Sequence, residues 1–335
     1  MPKVALGFSG GVDSAVSSYL LKKAGCEVFG VYLDNASEKE KLDAVKGAEY
    51  AGIPLEIIDV KHELDEKVCS YFEQAYLNGE TPNPCIICNR VLKFKNLIEY
   101  ADRCGCEFIS TGHYARSENG ALFKGRAEND QSYMLCRILP SQLERLILPL
   151  GTYAKSTVRE IATDIGLPAA AKPDSMEICF IPDKNYIKWL GERCSLPGEG
   201  NFIFHGEITG QHSGIYRYTV GQRLPGLIDG RKVYISKINP MDNTITLSLW
   251  EELFTNDVYA SDFSYLVDMP DSFEASIRVR HTKWEEPACT VEKLGAGIHA
   301  SCFNPVRAPA RGQSAVLYKD DRVIGGGFIC DSTSF

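Results

Sequence analysis

Eight residues near the start, Gly7-Phe8-Ser9-Gly10-Gly11-Val12-Asp13-Ser14, constrain the fold more than any other stretch of this chain. They follow an apolar run, Val4-Ala5-Leu6, that reads as a buried strand. They precede residues 15–21, whose spacing reads as a helix. A strand, a glycine-rich turn and a helix N-terminus together form an anion cradle. The glycines let the backbone approach phosphate oxygens, and unpaired N–H groups with the helix dipole favour negative charge. The turn lacks the Lys-Ser/Thr ending of a Walker A loop and is not the dinucleotide fingerprint G-x-G-x-x-G. Ser9 and Ser14 can donate to phosphate oxygens. Asp13 is a candidate Mg²⁺ ligand, because a carboxylate beside phosphates usually acts through that cation.

The pattern that follows is an alternation of strand and helix. Residues 27–33, 55–60 and 107–111 read as strands, and 38–51, 62–77 and 91–103 as helices; 133–166 stays helical in pattern, most clearly over 157–165. Such alternation implies a doubly wound parallel sheet. Ligands in such sheets bind outside the carboxyl ends of the strands, where Ser9, Leu33 and Gly112 all fall. After about Gly198 the texture changes to short alternating runs, 233–238, 244–249, 275–279 and 315–318, with Asp242-Asn243 as a hairpin turn. The expected division is an α/β domain over 1–190, a small β-rich central domain over 191–258 and a C-terminal β-barrel-like domain over 259–335.

Bulk properties narrow the setting. A chain of 335 residues suits two or three domains. No apolar run approaches membrane-spanning length, and the strand begins too early to leave room for a signal peptide. Twelve cysteines without an export signal point to a reducing compartment, hence the cytoplasm. The net charge of −8 means that contact with nucleic acid would rest on local patches.

Two cysteine segments stand apart. In Thr81-Pro82-Asn83-Pro84-Cys85-Ile86-Ile87-Cys88-Asn89-Arg90 the prolines predict an extended loop, with Cys85 and Cys88 facing each other across a C-x-x-C turn. Thiols so placed often titrate low and react readily; half of a zinc site is the alternative, but no second C-x-x-C exists. Cys179 lies in Asp174-Ser175-Met176-Glu177-Ile178-Cys179-Phe180-Ile181-Pro182, far off in sequence.

The early turn resembles the PP-loop of enzymes that split ATP between the α- and β-phosphates. With residues 81–94, Thr111-Gly112-His113-Tyr114-Ala115-Arg116, Asp130-Gln131-Ser132-Tyr133, residues 174–182, Tyr218-Thr219-Val220-Gly221-Gln222-Arg223 and Gly325-Gly326-Gly327-Phe328-Ile329, the chain resembles the tRNA-specific 2-thiouridylases of the MnmA (TrmU) family in order and over its length. The resemblance implies a PP-loop (adenine nucleotide α-hydrolase-like) first domain. It also implies ATP-dependent thiolation of the wobble uridine of tRNA, through adenylation at C2 and then sulfur transfer. Gly7, Phe8, Ser9, Gly10, Gly11, Val12, Asp13 and Ser14 would bind ATP, with Leu33 and Gly112 beside adenine and ribose. Cys88 matches the nucleophile and Cys179 the persulfide position. Attack of Cys88 on the persulfide would release sulfide and leave a Cys88–Cys179 disulfide; direct attack by the persulfide on the base is the alternative.

One departure is Cys85, where many relatives carry Asp. Cys85, Cys88 and Cys179 then form a three-thiol set that could hold a 4Fe-4S cluster, a route that stays open beside the persulfide. By the same resemblance Asn83, Pro84 and Cys85 touch the target base, and His113, Asn129, Asp130 and Gln131 contact tRNA. Arg278, Arg280, His281 and Gln313 match contacts to the anticodon stem. The uridine would be flipped out of its stack to react. The implied partners are wobble-U tRNAs for Lys, Glu and Gln and a cysteine desulfurase or sulfur-relay protein, with no membrane. Rival readings are a PP-loop enzyme adenylating a small molecule, and a nucleotide-dependent RNA-binding or sulfur carrier without catalysis.

Overall fold

The computed structural model describes residues 1–35, 37–171, 178–181, 184–281 and 286–335. Most of the segment 174–182 therefore lies outside the described residues; Ile178 to Ile181 lie within them. Two compact units emerge. The first comprises Met1–Val68, Cys85–Met176 and Asp321–Ile324, and the second Cys69–Pro84, Glu177–Asp320 and Gly325–Phe335.

In the first unit β1 (Lys3–Gly7), helix α1 (Val12–Lys23), β2 (Glu27–Asp34), helix α2 (Glu38–Ala51), β3 (Leu55–Asp59) and β4 (Phe108–Ser110) follow one another much as the sequence pattern predicts. A hairpin of β5 (Ala115–Glu118) and β6 (Ala121–Lys124) and a short β7 (Leu146–Ile147) come next. The sheet order is β3-β2-β1-β4-β7, all parallel. The chain thus winds to one side of β1 and then to the other, and the reversal lies between β1 and β4. The crevice outside their carboxyl ends is where such sheets bind ligands. The core beneath it joins Val4, Leu6 and Phe8 to Val12 and Val16 of α1 and to Val158 and Ala162 of the helix Lys155–Asp164.

Two expectations need correction here. Residues 133–166 are not helical throughout: they hold a 3-10 turn, a four-residue helix, β7 and only then the helix Lys155–Asp164. Nor do the prolines at 82 and 84 leave Cys85 and Cys88 in a loop. Pro84 starts a helical rod that runs through Pro84–Cys88, a π-helical turn Asn89–Lys93 and Phe94–Cys104. A proline at the first helical position loses no hydrogen bond, so the residue that seemed to break the helix begins it.

In the second unit the helix Ser70–Leu77 packs through Phe72 on Ile181 and Leu190, the latter from the helix Tyr186–Arg193. A four-stranded sheet follows, built from β8 (Gly200–Phe204), β9 (Glu207–His212), β10 (Tyr234–Asn239) and β11 (Thr244–Ser248) in the order β10-β11-β8-β9. Asn243, at φ +53°, makes the predicted turn between β10 and β11. The last strands, β12 (Phe254–Tyr265), β13 (Ser272–Arg278), β14 (Ala288–Leu294), β15 (Gly297–Arg307), β16 (Ser314–Lys319) and β17 (Arg322–Cys330), form a six-stranded barrel closed by the β12–β17 pairing. β12 runs unbroken through residue 258. Glycines at the seam let β17 lie close to β12: a Cβ at Gly325 would stand 2.2 Å from the Ser264 carbonyl oxygen.

Candidate active site

The turn after β1 is shaped by its side chains in alternation. Phe8 and Val12 are buried in the core, whereas Ser9 is exposed. Gly11 precedes α1 with no side-chain cap on the helix, so the first N–H groups of α1 stay available to an anion. Ser14 is buried; its Oγ donates to the Gly11 carbonyl at 3.1 Å and lies 3.4 Å from Ser9 Oγ. Gly112, just past β4, abuts this turn: a Cβ there would lie 3.0 Å from Asp13 Cβ and 3.3 Å from Ser14 N. Gly112 therefore sits at the reversal point beside the cradle. Leu33 lies near the end of β2, half-buried. Beside it the buried carboxylate of Asp34 pairs with Lys41 at 3.1 Å and Lys61 at 3.3 Å, a cluster the sequence reading passed over.

Asp13 is not an open carboxylate. Lys155 Nζ donates to both of its oxygens at 2.8 and 2.7 Å, and the Tyr114 hydroxyl donates to Oδ1 at 2.6 Å. A Mg²⁺ ion at Asp13 would have to share or displace that ammonium. Neither Lys155 nor the role of Tyr114 was read from the sequence; a lysine at the start of a distant helix leaves no local signal.

Tyr114 explains why several motifs travel together. It is buried, and its backbone N–H donates to Gln131 Oε1 at 3.0 Å while its carbonyl accepts from the Gln131 N–H. Asp130 secures the same loop, accepting from the N–H groups of Gly125 and Ser132 at 2.8 and 3.0 Å and from the Ser132 hydroxyl. Asn129 Nδ2 reaches the Tyr153 carbonyl at 3.4 Å. The Gln131 side chain thus braces Tyr114, which braces Asp13, while Asp130 and Asn129 tie down the loop that carries Gln131.

Cys85 and Cys88 lie three apart on the rod that begins at Pro84, so they share one side of a helix. Cys85 is exposed and Cys88 half-buried. Burial pushes the Cys88 thiol above its ordinary value near 9, with the charge of Lys93 acting in the opposite direction and Cys85 adding to the rise. The low-titrating thiol expected of a C-x-x-C turn is thus not what burial produces at Cys88. His113 is held well below its usual 6.5, first by burial and then by Lys93. Its Nδ1 meets Thr111 Oγ1 at 2.7 Å and its ring stacks on Phe94. Lys93 therefore acts on both Cys88 and His113. Its place five residues after Cys88, across a π-helical turn, is a feature that such turns often show at functional sites.

Cys179 belongs to the second unit. It is exposed on a turn between Ile178 and Phe180, whose side chains pack into the Phe72 cluster; Phe180 meets Phe72 edge-on at 5.5 Å. Among the described residues no three His, Cys, Asp or Glu side chains gather as a metal site.

The remaining candidates are all in the second unit. Gln313 Nε2 donates to the Thr81 carbonyl at 2.7 Å, and the Thr81 N–H donates to the Arg311 carbonyl. Together these fix the loop that leads to Asn83 and Pro84. Arg278 makes a close ion pair with Glu286 through both Nε and Nη2. Arg280 Nη2 is fastened to the carbonyls of Val220 and Ala308. His281 is exposed. No described helix is long and apolar enough to cross a membrane.

A glycine turn feeding an uncapped helix at the reversal of a parallel sheet defines an α/β protein with an anion cradle at its strand ends. The sequence agrees. Residues 2–183 match the tRNA methyl transferase HUP domain, 191–248 the tRNA methyl transferase PRC-barrel domain and 255–329 the aminomethyltransferase β-barrel domain. The tRNA-specific 2-thiouridylase MnmA 1 of Clostridium botulinum is 38% identical over 346 residues, covering 97% of this chain and 98% of its own. The corresponding MnmA of Carboxydothermus hydrogenoformans is 39% identical over 358 residues, covering 98% and 97%. The solved NMN synthetase of Francisella tularensis shows a fainter likeness, 22% identical with a TM-score of 0.36 over 51% of this chain and 66% of that one. The chain belongs to the tRNA-specific 2-thiouridylase family.

Proposed function

We propose that this protein, a tRNA-uridine sulfurtransferase by family, replaces the C2 oxygen of the wobble uridine with sulfur in two steps. In the first, the carbonyl oxygen attacks the α-phosphorus of ATP, pyrophosphate departs, and the oxygen becomes part of a good leaving group. In the second, sulfur adds at C2 and AMP leaves with the old oxygen. Residues 1–190 carry the chemistry, and 191–258 and 259–335 serve the tRNA.

The observation that carries this reading is the position of Gly112 against Asp13 and Ser14, beside the bare N-terminus of α1. Residue 113, next in the chain, responds to the same lysine as Cys88. Anion cradle and thiol are thus linked within one unit through Gly112, His113 and Lys93. The α1 N-terminus suits the departing pyrophosphate. His113, kept neutral, can accept or donate a hydrogen bond near the base without adding charge.

Sulfur arrives as a persulfide on Cys179. Attack of the Cys88 thiolate on Cys179 Sγ expels the outer sulfur as hydrosulfide and leaves a Cys88–Cys179 disulfide, which an external dithiol returns to two thiols. Exposure of Cys179 supports its loading by a cysteine desulfurase or relay protein. Cys85, on the same helix face as Cys88, replaces a carboxylate with a thiol near the base. The tRNAs for Lys, Glu and Gln and a cytoplasmic setting belong to this proposal. Mg²⁺ would accompany ATP, with Asp13 as the carboxylate of the turn that could hold it.

The test is the nucleoside digest of tRNA from cells lacking this protein. Loss of 2-thiouridine derivatives, restored by the wild-type gene and not by Cys88→Ser, supports the reading. Unchanged 2-thiouridine content, in cells with no second copy, removes it.

A further inference from the structure

We propose that Cys289 and Cys302 form a site of reversible oxidation by hydrogen peroxide, which closes a disulfide between β14 and β15 and locks the C-terminal barrel. The site shares no residue with the sulfur chemistry proposed above and does not depend on it.

Strand register supplies the geometry. Cys289 of β14 and Cys302 of β15 stand directly opposite each other in an antiparallel pair, next to the pairs Thr290–Ser301 and Val291–Ala300. Opposite residues put their side chains on the same face of a sheet. Their Cα atoms lie about 4.5–5.5 Å apart, inside the span of about 4.4–6.8 Å that a disulfide bridges. Joining the two sulfurs therefore needs no movement of the strands. Both cysteines are buried, and their thiols hydrogen-bond each other. That bond is the first cause of the rise of Cys289 above, and of the fall of Cys302 below, the ordinary thiol value near 9. Cys289 Sγ also donates to the Ala275 carbonyl at 3.4 Å. The sulfur that more readily becomes a thiolate, and so the nucleophile of the pair, is Cys302.

Cys302 also stands where the barrel ladder is interrupted. β15 pairs with β12 at Ser301–Asp257 and again at Val306–Thr255, so residues 302–305 face the single residue Asn256. The surplus forms a bulge in which Phe303, Asn304 and Pro305 are exposed. Asn256 Nδ2 donates to the Cys302 carbonyl at 2.7 Å and helps to close this gap in the ladder. A segment with few ladder bonds opens at lower cost than intact strands, and peroxide is small enough to enter there. The Cys302 thiolate attacks one peroxide oxygen and the O–O bond breaks. Cys302 becomes a sulfenic acid, and the departing hydroxide takes the proton that the thiol gave up, forming water. The Cys289 sulfur then attacks the Cys302 sulfur, the S–O bond breaks, and the oxygen leaves as a second water with the Cys289 proton. Two thiols and one peroxide thus give one disulfide and two waters. An external dithiol reverses the change by thiol–disulfide exchange and is itself oxidised. The closed bond encloses residues 290–301 in a covalent loop, which removes freedom from the unfolded chain and so stabilises the barrel.

Peptide mapping tests this on the full chain. The protein is reduced, freed of reductant, treated with hydrogen peroxide, denatured in N-ethylmaleimide and digested with trypsin without reduction. Trypsin cuts after Lys283, Lys293 and Arg307, so each of the two cysteines lies in its own peptide. A linked Cys289–Cys302 peptide is expected as a major product in wild type, equally in a Cys88→Ser, Cys179→Ser double variant, and lost on addition of dithiothreitol. The linked protein should unfold several degrees above the reduced one, and peroxide should bring no such rise in Cys302→Val. Recovery of both peptides as maleimide adducts, under peroxide that oxidises the exposed Cys85, overturns the proposal. So does linkage of either cysteine mainly to another thiol. A linked protein that unfolds at the temperature of the reduced one overturns the locking of the barrel.

Discussion

Gly10 and Gly11 are neighbours in one turn, yet the structure gives them different duties, and alanine at each separates fold from function. Gly10 has φ +70°, and a Cβ there would stand 2.4 Å from the Asp43 carbonyl oxygen and 2.7 Å from Ala44 Cα, both backbone atoms of α2. That is about 1 Å inside the 3.4 Å at which ordinary contact begins. The left-handed conformation costs an alanine about 1–2 kcal/mol, and forcing α2 away adds roughly 1–3 kcal/mol. Gly10→Ala should therefore lose about 2–5 kcal/mol, which for a unit of this size lowers Tm by roughly 5–15 °C. Gly11 has φ −78°, and a Cβ there meets only Ser9 Oγ at 3.4 Å. Gly11→Ala should cost under about 1 kcal/mol of stability. Its methyl would nevertheless add bulk beside Ser9 in the turn where the phosphates are proposed to sit, so ATP affinity should fall at least about tenfold. Differential scanning calorimetry and ATP titration on both variants make the comparison. A Gly10→Ala protein as stable as wild type, or a Gly11→Ala protein that binds ATP normally, would refute the account of the turn.

Other outcomes follow from the same geometry. Alkylation of Cys88 should rise with pH through a midpoint above 9, since burial favours its thiol form, and Lys93→Met should move that midpoint higher still; mass spectrometry of labelled peptides over pH 7–11 reads both. Glu63, though partly desolvated, is drawn down to about 2 by Lys67, Lys95 and Asn96. Its contribution to stability is complete above its unfolded value of 4.5 and is lost as pH falls toward 2, so Glu63→Gln should be less stable at pH 7 and nearly equal to wild type at pH 2, as denaturant titrations at the two pH values would show. Gln313→Ala frees the Thr81 carbonyl; tRNA thiolation should fall several-fold with ATP affinity unchanged, and loss of both together would contradict its placement in the second unit.

Much of the first unit was legible because its signals are local. The run Val4–Leu6, the glycine turn and the helical pattern over 38–51 each announce themselves within a few residues; the sequence reading did not single out Ser37, which caps that helix by accepting from the Glu40 N–H. What stayed hidden depended on partners far along the chain. The helix expected over 62–77 is split by a π-helical turn at Asp65–Cys69, and its second half joins the second unit, because Phe72 finds its apolar partners at Ile181 and Leu190. Periodicity cannot show a partner more than a hundred residues away. The prolines at 82 and 84 misled for a different reason: the rule that proline breaks helices gives way to its fitness at a helix start.

The same distinction divides the site. Cys88, Asp13 and Gly112 were visible through their motifs, whereas Lys155 and Tyr114 were not, since an ion pair across 142 residues leaves no periodic trace. Asp130 and Gln131 were marked for their motif and turn out to have internal duties first, as braces for the loop that holds Tyr114.

The most direct measurement is a single-turnover reaction of this protein, loaded beforehand with a persulfide on Cys179, with unmodified tRNA and ATP labelled in the α-phosphate. The account predicts one AMP for each 2-thiouridine formed, with no ADP, and no thiolation by Cys88→Ser when Cys179 persulfide is the only sulfur present. Thiolated tRNA formed without ATP cleavage, or with ADP as the product, would contradict it.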